Sequence, residues 1–384
     1  MLPSLSVNSK LPNVGTTIFT VMSRMAQEHG AISLSQGAPD FACSPELIDL
    51  IAYYMKMGYN QYAPMEGVMA LREQIALKTE RCYGFAPDPL TEVTVTTGAT
   101  EGLFAAITAI VRPGDEVIVF EPCYDSYIPA IELCGGKAIR LPLEAETYSI
   151  PWQQLTQAMN SRTRLLIINT PHNPTGTILR KKDIDQLVSI LKESNAFLIS
   201  DEVYEHIIFD QEPHYSIARE PQLRDRSFVM SSFGKTYHAT GWKVGYCIAP
   251  AYLTKELRKV HQFLVFSTHT ATQHALAEYM KKPETYETLP DFYQEKRDKF
   301  QQMMTQTRFR LLPCHGSYFQ LASYAHITSE NDADYATRLT KEYGVATIPV
   351  SAFYKEETDN KVLRFCFAKK DETLEKAVER LMKI

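Results

Sequence analysis

The sequence predicts an α/β protein with a large, mostly parallel sheet and a smaller α+β domain. Three observations carry this. Strand-length apolar runs alternate with helical spacing between about Val93 and Pro250, the texture changes after Tyr252, and a length of 384 residues is more than one hydrophobic core serves well. Hydrophobic residues make up 45% and charged residues 22%, which suits a globular chain and excludes a largely disordered one.

The N-terminal arm through Asp40 shows little periodicity and is expected to pack on the smaller domain or on a partner. The expected strands then follow as Val93–Thr97, Glu116–Phe120, Lys137–Leu141, Leu165–Asn169, Phe197–Ser200, Phe228–Ser231 and Val244–Ile248. Several are apolar throughout, as strands covered on both faces are. Helical stretches such as Thr100–Val111 and Lys182–Lys192 separate them. Beyond Tyr252 the spacing predicts helical stretches over roughly Thr254–Met280 and Pro290–Thr305. Strand-like runs at Ser317–Leu321, Ala346–Ile348 and Val362–Phe367 come next, and a closing helix starts at Glu372. The expected division is residues 1–44 as arm and part of the smaller domain, 45–277 as the large domain, and 278–384 as the smaller C-terminal domain.

A net charge of −5 offers no broad attraction to nucleic acid or anionic membrane, so a small ligand met by local groups is expected. Met1–Pro12 holds no signal-peptide-like apolar run, and the longest apolar stretch, Leu103–Val111, is too short to span a bilayer, so a cytosolic location is expected. The seven cysteines are scattered without C-x-x-C spacing, and the ten histidines lack H-E-x-x-H spacing. No metal site is expected, and the cysteines read as small buried hydrophobes in a reducing compartment.

In an open α/β sheet, ligands collect where strands end at their carboxyl edge. Four segments fall there: Gly98-Ala99-Thr100, Asn173-Pro174-Thr175-Gly176, Asp201-Glu202-Val203-Tyr204 and Ser231-Ser232-Phe233-Gly234-Lys235. The first is a glycine turn opening a helix, which offers free N–H groups to a phosphate; a purely structural turn would look the same. Gly234-Lys235-Thr236 is not a nucleotide P-loop, because Val229 stands where that loop needs glycine. Lys235, in a neutral stretch of small residues, suits a desolvated amine that attacks a carbonyl, or a lysine that only reaches solvent. Asp201 at a buried strand end suits the partner of a protonated pyridine nitrogen, or a turn aspartate.

The ordered set Ser35-Gln36-Gly37-Ala38-Pro39-Asp40-Phe41, Asn60-Gln61-Tyr62, Thr97-Gly98-Ala99-Thr100-Glu101, Asn173-Pro174-Thr175-Gly176, Asp201-Glu202-Val203-Tyr204, Ser232-Phe233-Gly234-Lys235-Thr236, Gly241-Trp242-Lys243-Val244-Gly245 and Leu363-Arg364-Phe365 resembles the fold-type-I, class I/II aminotransferases that depend on pyridoxal 5′-phosphate. It covers nearly the whole chain and is most similar to the branch of methionine and kynurenine aminotransferases. The resemblance implies that Lys235 holds the cofactor as a Schiff base and shuttles the proton. Asp201 would face the pyridine nitrogen, Asn173 and Tyr204 the phenolic oxygen, and Tyr124 the ring. The phosphate would be held at Gly98 by the N–H groups of Ala99 and Thr100, by Ser232 and Lys243, and by Tyr62 from a second subunit of a homodimer. Arg364 would grip the substrate carboxylate, assisted by Gly37 and Asn173.

Lys243 stands where many relatives have arginine, Ala38 where many have a bulkier residue, and His269 matches a partner-subunit pocket position in the kynurenine branch. The resemblance implies transamination of a large uncharged amino acid, methionine before aromatic ones, in a pocket lined by Phe19, Tyr62, Tyr124 and Phe353. The alternatives are kynurenine transamination with cysteine-S-conjugate β-lysis, aspartate transamination if a cation such as Arg24 reaches the pocket, and a non-enzymatic regulator. The last is disfavoured because no DNA-binding segment precedes the motifs.

Overall fold

The computed structural model describes residues 6–356 and 358–384, so the first five residues of the expected arm lie outside the described residues. All seven expected strands join one sheet, whose spatial order is Val93–Thr96, Gly245–Ile248, Ser227–Ser232, Phe197–Asp201, Thr163–Asn169, Glu116–Glu121 and Lys137–Pro142. Gly245–Ile248 runs antiparallel to both neighbours, and the other pairings are parallel. The reversal follows from the link. Between Ser232 and Gly245 the chain forms only a four-residue helix and a three-residue 3₁₀ turn, too little for a crossover.

The apolar runs bury both faces by alternation. Val117, Val119, Leu165, Ile167, Ile199, Phe228 and Met230 pack on one side with Leu103, Ile107 and Leu257. Ile118, Leu166, Ile168, Leu198 and Val229 face the other core. Each such side chain contributes about 1.5–3 kcal/mol by leaving water. These contacts fix the strand ends that carry the chemistry.

Beyond the sheet, the expected Thr254–Met280 stretch is two helices, Ala251–Leu264 and Thr270–Tyr279. Phe266 adopts φ +66°, and His269 Nδ1 accepts from the Thr272 amide at 3.3 Å. The side chains of Ser267, Thr268, His269 and Thr270 favour a cap over continued helix. The Ser317–Leu321 run starts later, as Phe319–Ser323, because Ser317 sits at φ +61° outside the ladder. The Ala346–Ile348 run divides between two sheets: Val345–Ala346 pairs with Ile32–Ser33, and Ile348–Pro349 with Val362–Cys366.

The arm packs on the C-terminal part of the chain. Ile32–Ser33 pairs there, and the Cys366 amide donates to the Leu34 carbonyl at 2.8 Å. The arm also holds a helix that its weak periodicity did not suggest, Ile18–Glu28, capped by Thr17. The cysteines are all free. Cys123, Cys247, Cys314 and Cys366 are buried, but Cys43, Cys82 and Cys134 are only half-buried, contrary to expectation. Among the described residues no group of His, Cys, Asp and Glu could hold a metal, and no helix is long and apolar enough to cross a membrane.

Candidate active site

The carboxyl ends of the central strands surround a cavity of about 280 Å³, lined also by Phe19, Gln36 and Gly37 of the N-terminal arm and by Phe319 and Arg364 of the smaller domain. Gly37, Gly98, Ala99, Thr100, Tyr124, Asn173, Asp201, Tyr204, Ser232, Lys235, Lys243 and Arg364 all line it. Twelve positions scattered over the chain therefore converge on one space.

One end is built for an anion. Gly98 opens the Gly98–Ile110 helix at φ +76°, and a Cβ there would lie 3.3 Å from Lys243 Nζ. Lys243 is itself at φ +52°. Gly245 completes the fit, since a side chain on it would meet the Ala99 amide at 2.9 Å. A lysine ammonium thus rests against a helix N-terminus whose first N–H groups lack intrahelical acceptors, two positive features side by side. The nearby Glu101 carboxylate is committed to the Thr97 amide at 3.0 Å and to His261 Nδ1 at 3.0 Å.

In the middle, Lys235 Nζ donates to the Gly37 carbonyl at 3.1 Å and to Tyr318 Oη at 2.8 Å. Burial pushes its pKa down to about 8; Arg364 and Lys243 push the same way, while Cys366 and Asp201 oppose them. Asp201 ends its strand deeper in the cavity. Burial raises its carboxyl to about 6, against the lowering effect of hydrogen bonds from Tyr127 and the Val203 amide and of the Lys235 charge. The Tyr127 hydroxyl donates to Asp201 Oδ2 at 2.5 Å. Tyr124, on the same loop, is half-buried with its hydroxyl 3.4 Å from Thr100 Oγ1. Burial also raises the pKa of Tyr204, so its phenol keeps its proton.

The other end belongs to Arg364, fully buried on the Val362–Cys366 strand. Its guanidinium lies 3.9 Å from the Phe319 ring centroid, donates to Asn173 Oδ1 at 2.8 Å and to the Ser35 carbonyl at 2.6 Å, and leaves Nε buried without a partner. Burial lowers its pKa to about 10, still charged at neutral pH. Asn173 is fixed in turn by its amide bond to Asn169 Oδ1 at 2.8 Å. A planar cation held with donor capacity to spare is suited to a carboxylate.

Some expected positions stay outside. Tyr62 is 84% exposed, with its ring 5.3 Å from that of Phe266. His269 is spent as a helix cap, Ala38 does not line the cavity, and Arg24 sits on the surface 3.9 Å from Glu28. Phe19 lines the cavity, whereas Phe353 lies behind it, 5.8 Å from Phe19. Tyr127, Asn169, Thr240 and Tyr318 escaped the sequence reading. None of the four carries a local signal in the sequence that sets it apart from a core or turn residue.

The chain belongs to the class I and II aminotransferase family, whose model matches residues 30–381. It is 52% identical over 377 residues to the methionine aminotransferase of Escherichia coli (strain K12), covering 98% of each chain. A crystal structure of an Escherichia coli protein with an identified methionine aminotransferase function superposes with TM-score 0.97 at 51% identity, covering 99% of this chain and 100% of that one. The kynurenine–oxoglutarate transaminase of Dictyostelium discoideum is 33% identical, over 96% of this chain and 94% of its own. The expected fold, class of enzyme and branch are therefore correct.

Proposed function

We propose that this aminotransferase uses pyridoxal 5′-phosphate to move the amino group of an uncharged amino acid, methionine before aromatic ones, to a 2-oxo acid. The full-length 52% identity to a methionine aminotransferase carries the substrate reading. The cavity's charge agrees with it. Its cations are Lys235, Lys243 and Arg364, and the first two are committed elsewhere in this reading. A second substrate carboxylate would be buried unpaired, at heavy cost. Comparing kcat/KM for methionine, phenylalanine, kynurenine and aspartate with one oxo acid tests this; aspartate ranking first would overturn the substrate and leave the transaminase standing.

The residues fit the cofactor. A phosphate suits Gly98, Ala99, Thr100, Ser232 and Lys243, where a cation already meets a helix N-terminus; Lys243 supplies a point charge there, without arginine's fork. Tyr124 would supply a stacking face, and Asp201 would accept a hydrogen bond from a ring N–H. Asn173 and Tyr204 would donate to the phenolic oxygen. When bound, the cofactor supplies an electrophilic carbon and a ring that withdraws electrons from the substrate Cα. Arg364, with Gly37 and Asn173, orients the substrate by its carboxylate. Lys235 Nζ, its basicity lowered by burial, takes the proton from Cα and returns it on the cofactor side as general base and then acid.

In this reading the protein is a cytosolic homodimer. Thr270 Oγ1 donates to the Gln61 carbonyl at 2.5 Å, and Thr97 and Thr268 hydroxyls lie 3.2 Å apart, so Tyr62 is held outward beside the anion end. Phe263 is likewise 87% exposed, and Phe266 packs against Tyr62. A second copy would cover this surface and receive Tyr62 at its phosphate. The domain limits at residues 45 and 277 are part of the same proposal.

A further inference from the structure

Asp201 has its main chain and its side chain held by different neighbours. Its carbonyl accepts from the Thr170 amide at 3.0 Å and from Asn169 Nδ2 at 2.8 Å, which fixes the strand end. Its carboxylate has one short bond, from Tyr127, while the Val203 amide stands at a long 3.4 Å. Tyr127 opens the Tyr127–Leu133 helix, with its amide on the Tyr124 carbonyl at 3.3 Å and its ring edge-on to Tyr124 at 5.7 Å. Both Tyr127 and Asp201 are 3% exposed, so no bulk water competes for this bond.

We propose that Tyr127 is a positioning residue that holds the Asp201 carboxylate ionised and in one orientation, so that it accepts from the protonated ring nitrogen of a bound pyridine. This rests on the cofactor reading above and deepens it by assigning a residue two steps removed from substrate. The physical reason is economy of donors: a buried carboxylate with a single strong donor protonates more readily once that donor is lost, and it then lacks the negative charge that keeps a ring nitrogen protonated. The other groups around Asp201 do not replace the phenol. Lys235 is bonded to Gly37 and Tyr318. Glu202 is turned away onto Ser200, His214 and the Ile217 amide. The Tyr124 hydroxyl faces Thr100, and Tyr204 packs edge-on against Tyr318 at 5.1 Å.

The test is cofactor binding to the apoprotein, read without turnover. Dissociation constants are measured between pH 5.5 and 8.5 for pyridoxal 5′-phosphate and for its analogue with C–H in place of the ring nitrogen. The proteins are wild type, Tyr127→Phe, Asp201→Asn and the double variant. Tyr127→Phe should weaken binding of the cofactor roughly tenfold to a hundredfold at neutral pH. The acid limb of its binding curve should move up by about one pH unit or more, because removing a donor raises the carboxyl pKa. Binding of the C–H analogue should stay as in wild type, which also shows that the variant is folded. In the double variant, the phenol's loss should add nothing to the loss from Asp201→Asn. Equal weakening for both ligands, or an unmoved acid limb, would overturn the role of Tyr127. If wild type and Asp201→Asn bind both ligands alike, the cofactor reading of Asp201 itself fails, and the Tyr127 proposal with it.

Discussion

Two lysine and carboxylate sets take their carboxylates, Asp201 and Glu205, from the end of one strand and the turn just beyond it, and they are treated in opposite ways. Behind the sheet, Lys78 Nζ meets Glu205 Oε2 at 2.5 Å, and the Tyr246 hydroxyl bridges them at 2.7 and 3.1 Å, with Tyr83 donating to the same carboxylate. Burial alone would raise the Glu205 carboxyl, but Lys78, His206 and these hydrogen bonds hold it well below the ordinary glutamate range. In the cavity, Lys235 and Asp201 make their bonds to other, neutral groups, and burial prevails: the lysine falls to about 8 and the aspartic acid rises to about 6. A lysine and a carboxylate are ion-paired in one place and hydrogen-bonded only to neutral groups in the other. The set without counter-charges is where a ligand has something to gain.

The largest effect that would break this contrast is at Lys235. Lys235→Ala should lower turnover by roughly a thousandfold or more, since a positioned acid–base group contributes about 10²–10⁴ and the cofactor link is lost as well. Its unfolding midpoint should be unchanged or higher, because a desolvated amine without a paired counter-charge is removed; kcat and denaturant melts of the purified variant read both. Lys78→Met should do the reverse. It strands a buried Glu205 carboxylate and should cost about 3–5 kcal/mol of stability in denaturant unfolding, while Lys78→Met with Glu205→Leu should recover most of that.

Arg364→Ala tests the cavity's own anion partner. A charge-assisted bond contributes about 1.5–3 kcal/mol, so kcat/KM for α-amino acids should fall roughly tenfold to a hundredfold, while amines lacking a carboxylate are unaffected. Equal loss for both classes removes Arg364 from this role.

The smallest effect is the pH dependence of apoprotein stability, where the two carboxylates act with opposite sign. Glu205 has a folded pKa below its unfolded value. Its contribution is complete above the ordinary glutamate range and fades as pH falls below it. Asp201 has a folded pKa raised to about 6 from 3.8, so its ionised form opposes folding at neutral pH, and that opposition is relieved as pH falls from about 6 toward 4. Wild type minus Asp201→Asn, measured in urea at pH 7 and pH 5, should show this penalty shrinking on acidification. A penalty that grows would place the shift in the wrong direction.

The central sheet was legible because burial on both faces demands apolar runs of strand length, and Leu165–Asn169 or Phe228–Ser231 satisfy no other pattern as well. Gly98, Asn173, Asp201 and Lys235 were legible because each ends a strand or follows one closely, at the edge where loops converge, in the order the family shares. The break at Val265–His269 was not, because it depends on side-chain caps that compete with a helix of equal local preference. Tyr318 and Tyr127 look like core aromatics in the sequence. Only the packing of two sheets and an arm brings their hydroxyls to Lys235 and Asp201, and nothing local to either tyrosine records that meeting. The same holds for the difference between Lys78 and Lys235. The sequence by itself determined the fold class, the family and which side chains carry charge. The tertiary structure alone decided which buried charge is paired and which is left for a ligand, because pairing depends on distances between segments far apart in the chain.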